Sequence, residues 1–318
     1  MADRRGSRSA RPWGRGGPTV NVNRQIAKKL PKKMSQLVTR DFYDYFAVKY
    51  LRAKHAVCAI PTWMYWDIDK KGSIELRIPD KEFNQCMKSA NRFVSIPMCL
   101  RSIEGGSHAN ALFIDKDAKT AERFEPHGAR AYELFKDFKY EELDEALANV
   151  LAQKTLQYIA PSQYAPKLGP QSMEHYIGES GYCAGWSLWY TDMRLTYPEV
   201  PRDVLAKALF SKLNDKYDDD TLTSYLLNYV RQVYAYMVKE FPQYRQFLYK
   251  YDDYKKLPKT DEKRIAFQRF QDHMNDLVNN QPMKRIRIPK STMRYPSAIE
   301  SRDLYSKPTK VSVKRYKK

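Results

Sequence analysis

The sequence predicts an α+β fold, a small mixed sheet packed on a central helix that starts at Cys183, with a helical C-terminal extension. Three observations predict it. Short extended pieces bounded by Pro61, Gly72 and Pro79 occupy the stretch from Val57 onward; the hydrophobic period changes to that of helices after Pro126-His127-Gly128; and an apolar helical stretch follows Cys183. At 318 residues with 42% hydrophobic content, the chain is long enough to bury a substantial core. Four segments follow: a basic disordered arm over 1–35, a core over 36–200, a helical extension over 201–283 and a basic tail over 284–318.

Taken in order, residues 1–35 mix Gly, Arg, Ser and Pro with few apolar side chains and cannot fold alone. From Ser35 to about Ala56, Leu37, Tyr43, Phe46, Ala47 and Tyr50 recur at helical spacing, which predicts a first helix. Ile74, Leu76 and Ile78 alternate with polar residues, so that strand buries one face. Residues 91–103 read as a further strand, turning at Gly105-Gly106 into a hairpin over 107–128. One or two amphipathic helices occupy 129–157, carrying Leu143, Leu147 and Leu151, and a loop over 158–182 leads to Cys183. The helix from Cys183 ends before Pro198 and Pro201, and further helices run approximately over 201–214, 220–249 and 260–279. Tyr225, Tyr229, Val233, Tyr236 and Met237 form a stripe at helical spacing, read as a buried face and not as a stacking platform for bases.

Charge is segregated. Residues 1–35 carry ten Lys/Arg against one acidic residue and 284–318 carry twelve against two, which accounts for the whole net charge of +19; the body between them holds 34 of each sign. Such arms attract a polyanion by counterion release, which points to nucleic acid or another acidic scaffold, though solubilising tails or import signals have the same composition. No apolar run is long enough to span a membrane, and the N-terminus lacks the apolar region of a secretion signal. Cys58, Cys86, Cys99 and Cys183 are widely spaced without a C-x-x-C pair, so neither a zinc site nor a disulfide framework is expected, and a reducing intracellular compartment fits. No His or Cys pair sits at ligand spacing, and no Gly-rich phosphate loop of the Walker or Rossmann type is present, so no metal or cofactor is expected.

The chemistry concentrates between His108 and Cys183. Read as a hairpin turning over Asp115–Lys119, the stretch S-H-A-N-A-L-F-I-D-K-D-A-K-T-A-E-R-F-E-P-H-G has its midpoint between Lys116 and Asp117 and places His108 opposite Glu125. Directly opposed residues point to one face with Cβ atoms within about 5.5 Å, so imidazole and carboxylate are expected to bond. Cys183 in G-Y-C-A-G-W-S-L-W-Y heads a helix, where the dipole favours a thiolate. Free cysteines are more often inert core thiols; the ordered His and Glu are what single this one out. His127 is a rival imidazole without a matched carboxylate, and His175 lies nearer Cys183 in sequence with no orienting partner.

His-x16-Glu, a second strand ending F-E-P-x-G, and the downstream G-Y-C-A-G-W together resemble the adenovirus proteinase family and its relatives, the Ulp1-type SUMO-processing peptidases, over about residues 90–197. The stretch from Gly181 to Tyr190 resembles homologues in large DNA viruses. The resemblance implies a papain-like or Ulp1-like core, with Cys183 as nucleophile, His108 as general base and acid, and Glu125 orienting the imidazole. A family glutamine ahead of the cysteine donates to the oxyanion, and Gln171 in G-P-Q-S is the candidate here, although it stands farther from Cys183 than the family spacing and needs a loop that folds back. Where the family commonly has Trp after the histidine and Gly after the cysteine, this chain has Ala109 and Ala184. The implied activity is a thiol protease cutting virion precursors or ubiquitin-like conjugates after small residues such as Gly, inside a virion or host cell, with DNA-binding arms. Two other classes share these features: a non-enzymatic virion scaffold, and a bacterial type of acetyltransferase built on the same triad.

Overall fold

In the structure, a computed structural model, the described residues are 47–172, 182–216, 219–240, 258, 260–262, 264–265 and 284–288. The N-terminal arm, the first part of the helix expected over 35–56, His175, most of the helix expected over 260–279, and the tail after Ile288 lie outside them. The described chain runs α1 (Val48–Lys54), β1 (Val57–Ala59), β2 (Met64–Ile68), β3 (Ile74–Ile78), α2 (Asp80–Lys88), β4 (Phe93–Arg101), β5 (Ser107–Asp115) and β6 (Thr120–Phe124). It continues through α3 (Ala131–Leu134), α4 (Tyr140–Ala152), β7 (Gln157–Ile159), α5 (Pro161–Tyr164), α6 (Tyr182–Thr196), α7 (Arg202–Lys216), α8 (Asp219–Glu240) and β8 (Lys284–Ile288). Mixed helix and sheet make this an α+β fold.

The strands form one mixed sheet in the order β7-β6-β5-β4-β2-β3-β8, with β1 also paired to β4. β4 is its spine, antiparallel to β5 along nine residues and parallel to both β1 and β2. Pro97 interrupts neither neighbour. β1 covers β4 at Phe93–Ser95 and β2 at Met98–Arg101, which leaves Ile96 and Pro97 uncovered between them. The Ser95 carbonyl points to that side, accepting from the Ile60 N–H, so two residues on the missing N–H of Pro97 faces the gap, where no ladder bond is lost.

Strand alternation separates two faces. Ala109, Ala111 and Phe113 of β5 and Phe124 of β6 meet the core containing Trp186, Trp189 and Tyr190 of α6, with Phe210 of α7 and Leu226, Val230 and Val233 of α8 behind them. Tyr190 stacks on Phe124 with ring centroids 4.1 Å apart. Gly185 lets α8 close on α6, since a Cβ there would stand 3.3 Å from the Leu226 side chain. The helices expected as an extension after residue 200 therefore share this core where they are described, and the stripe Tyr229, Val233 and Met237 is buried in it. Buried Glu122 fastens the same face, accepting from Arg194 at 2.7 Å and from Arg202 at 2.9 Å. On the opposite face Arg123 reaches Asp144 of α4, so α4 and α6 sandwich β6.

Three expectations are corrected. Cys58 and Cys86 form a disulfide, with Cα atoms 5.5 Å apart, because the β1–β4 pairing returns Cys58 to the helix that precedes β4. A separation of 28 residues carries no spacing signal for such a pair, and the cysteine pattern does not speak for a reducing compartment. The basic tail expected from residue 284 begins as β8, an edge strand pairing with β3. The loop expected over 158–182 opens with β7 and α5 and then a 3-10 turn at Pro170–Ser172. Among the described residues, no helix is long and apolar enough to cross a membrane.

Candidate active site

His108 and Glu125 meet, but not by direct opposition. The β5–β6 ladder pairs Asp115 with Thr120 and Ala111 with Phe124, so the same register carried one residue further places Glu125 opposite Asn110. The turn occupies Lys116–Lys119 instead of centring between Lys116 and Asp117. Asp115 sets it, accepting from the backbone N–H groups of Asp117 and Ala118, while Arg92 clamps the same carboxylate and Lys119 takes a φ of 53°. A shift of two residues keeps every side chain on its face. His108 therefore reaches Glu125 diagonally, with Nε2 2.7 Å from Oε1, while Asn110 donates to Oε2 at 2.9 Å.

Cys183 lies in the first turn of α6, a 15-residue helix held on β5 by Ser187, one turn on, whose hydroxyl donates to the Ala109 carbonyl at 3.3 Å. The thiol faces His108 and the Ala109 N–H. Glu125 holds Nε2, so Nδ1 is the ring nitrogen left for sulfur. Burial disfavours charge on all three groups, and their mutual contacts outweigh it. Glu125 and the sulfur push the imidazole up to about 10, His108 holds the thiol below its ordinary value, and the imidazole together with Arg123 brings Glu125 down to about 2. The contacts therefore favour an imidazolium beside a carboxylate and shift the thiol toward thiolate. Cys99, the other free cysteine, is pushed up by burial.

His127, the rival imidazole, stands beside the pair without replacing His108 in it. Its backbone N–H donates to Glu125 Oε1 at 2.9 Å, its ring stands 5.1 Å from that of His108, and Nδ1 meets the Ser172 hydroxyl at 3.0 Å. Burial and the neighbouring imidazolium lower its pKa to about 4, so it is neutral at neutral pH.

Gln171 sits in a loop that does fold back. Its N–H donates to the Pro126 carbonyl at 3.0 Å, and its 3-10 turn packs against α6. The fold-back depends on two glycines. Gly128 has a φ of 73°, and a Cβ there would lie 2.5 Å from the Gly169 nitrogen, while one on Gly169 would lie 2.3 Å from the Pro126 carbonyl. The Gln171 amide oxygen is buried with no hydrogen-bond partner among the described residues, and residues 173–181, which connect it to Cys183, lie outside the described set. Among the described residues no group of three or more His, Cys, Asp or Glu is placed to hold a metal ion.

Sequence reasoning missed Asn110 and Arg123, both fully buried on the His108 face. Their signal was the strand period: Asn110 stands two residues after His108 and Arg123 two before Glu125, on the same strand faces as the pair.

No protein-family model matches the chain. It is similar to a protein of Acanthamoeba polyphaga mimivirus named as an ankyrin repeat protein, with 24% identity over 244 residues. The match covers 68% of this chain and 30% of that protein, so the chain spans about a third of the length of its relative. An ankyrin repeat is a β-turn with two helices; the matched chain folds instead on an eight-stranded mixed sheet.

Proposed function

We propose that the protein is a thiol endopeptidase acting through Cys183, His108 and Glu125. The observation that carries the reading is the series Cys183–His108–Glu125, with a half-buried thiol in the first turn of a helix and a buried imidazole fixed by a 2.7 Å bond to a carboxylate. In this reaction the Cys183 thiolate attacks the scissile carbonyl carbon, and the carbonyl π electrons move to oxygen. The oxyanion collapses, the C–N bond breaks, and the His108 imidazolium passes its proton to the departing amine. The resulting thioester is hydrolysed by a water whose proton His108 accepts, regenerating thiolate and imidazolium and releasing the acid. Gln171 is the candidate oxyanion donor, supported by the return of its loop to Pro126.

The resemblance to adenovirus proteinase and Ulp1-type peptidases supports virion precursors or ubiquitin-like conjugates, cut after small residues such as Gly, as substrates. The similarity to a mimivirus protein supports a large-DNA-virus setting, in the virion or the infected cell. Exposed Lys284, Arg285 and Arg287 on β8 support a polyanion, nucleic acid above all, as partner of the basic tail.

The test is labelling of native protein with an electrophilic peptide ending in Gly-Gly, followed by mass mapping, with His108→Ala as control. Adduct on Cys183 alone, lost in the control, is the expected result. Equal labelling of Cys99 and Cys183, unchanged by added DNA, refutes the reading in favour of a DNA-binding scaffold. Saturable acetyl-CoA binding with acetyl transfer to Cys183 refutes it in favour of an acetyltransferase.

A further inference from the structure

We infer that Asn110 is a positioning residue of this site, a two-sided clamp through which buried Arg123 sets the plane of the Glu125 carboxylate that orients His108. The inference rests on the peptidase reading and adds a residue that acts through Glu125.

Both sides of the Asn110 amide are engaged. Oδ1 accepts from Arg123 Nη1 at 2.6 Å, and Nδ2 donates to Glu125 Oε2 at 2.9 Å. Chemistry decides which end faces which partner. A guanidinium only donates, so the amide oxygen must face Arg123; a carboxylate only accepts, so the NH2 must face Glu125. Arg123 cannot yield, because its Nε and Nη2 donate to Asp144 Oδ1 at 3.1 and 2.8 Å, and Nη2 also donates to the Tyr132 hydroxyl at 2.9 Å. The Tyr158 hydroxyl donates to the same Asp144 oxygen at 2.5 Å, locking the anchor from β7.

The effect falls on Glu125. A carboxylate has a broad, roughly two-fold terminal torsion and needs bonds to both oxygens to hold one plane. Oε1 is occupied by His108 Nε2 and the His127 N–H, and Asn110 is the hydrogen-bond donor to Oε2 among the described residues, with the Tyr140 hydroxyl beside the carboxylate and the nearest Arg123 nitrogen 3.8 Å away. Without Asn110 the plane is free to turn, and Oε2 would pull toward the guanidinium. The imidazole would then lose the alignment that directs Nδ1 at Cys183. The resulting row, Asp144, Arg123, Glu125, His108, alternates in sign as it leads to Cys183, and neutral Asn110 bridges Arg123 and Glu125.

The experiment measures the pH dependence of Cys183 alkylation by iodoacetamide, mapped by mass, in the parent chain, in Asn110→Ser and in Asn110→Asp. A third variant, Leu147→Ala, removes an equally buried side chain of α4 that has no bond to the site and serves as a stability match. In both Asn110 variants the rate at pH 6 should fall at least tenfold and the acidic limb should move to higher pH. Leu147→Ala, with a comparable loss of melting temperature, should keep the parent profile. The parent profile in either folded Asn110 variant, or the same displacement in Leu147→Ala, overturns the inference. If instead Cys183 of the parent reacts no faster at pH 6 than Cys99, the peptidase reading itself has failed.

Discussion

Replacing Glu125 with Gln keeps the shape of the side chain and removes its charge, which isolates what the carboxylate does to His108. The ring nitrogen and the carboxylate oxygen are 2.7 Å apart, both buried. With charge centres about 4 Å apart and an effective dielectric of about 20, the attraction is of order 4 kcal/mol, or roughly three decades in the imidazole's acid constant. His108, held at about 10 with Glu125 present, should therefore lose its proton near or below pH 7 in the variant. The sign follows from the charge states: the thiolate–imidazolium pair exists above the depressed thiol pKa and is lost as pH rises through that of the imidazole. Weakening the imidazolium also lets the Cys183 thiol rise toward its ordinary value, so alkylation near neutral pH should slow and the acidic limb should move to higher pH. Iodoacetamide labelling across pH 5 to 10 reads both limbs, and Cys99, raised by burial, is the internal reference. An unchanged Cys183 profile in Glu125→Gln would refute the reasoning.

Three further outcomes follow from the same geometry. Gly128→Ala places a methyl 2.5 Å from the Gly169 nitrogen at a φ of 73°; it should lower the melting temperature and raise proteolysis in the Gln171 loop, and a wild-type melt would refute the dependence of the fold-back on Gly128. Reducing the Cys58–Cys86 bond, which spans 28 residues, should cost roughly 3.5 kcal/mol by loop entropy; denaturant midpoints with and without reductant measure it, and unreduced, unfolded protein should expose only Cys99 and Cys183 to alkylation. Glu122→Ala leaves Arg194 buried without its carboxylate, a loss of about 3–5 kcal/mol by chemical denaturation; a change under 1 kcal/mol would show that water reaches the guanidinium.

Stability should track pH through the same pair. His108, raised by Glu125, contributes stability that is full below its unfolded value near 6.5 and is lost as pH rises through about 10; Glu125, lowered to about 2, contributes above its unfolded value and loses it as pH falls toward 2.

The parts of this protein legible in the sequence were those governed by local periodicity. Alternation in Ile74, Leu76 and Ile78 and helical spacing in Trp186, Trp189 and Tyr190 identify strand and helix because each side chain's face follows from the backbone repeat alone. His108, Glu125 and Cys183 were nameable for the same reason: one hairpin matches two of them, and a helix start marks the third. The register was not legible, because it depends on where the turn closes, and that was decided by Asp115 accepting two N–H groups and by its ion pair with Arg92. Tertiary structure also decided the clamp around Glu125, the disulfide and the β8 edge. Each joins segments far apart in the chain, Arg123 to Asp144, Cys58 to Cys86, Lys284 to Ile78. Local spacing carries no record of such partners, since they meet only when the sheet has ordered its strands and the helices have closed on its two faces.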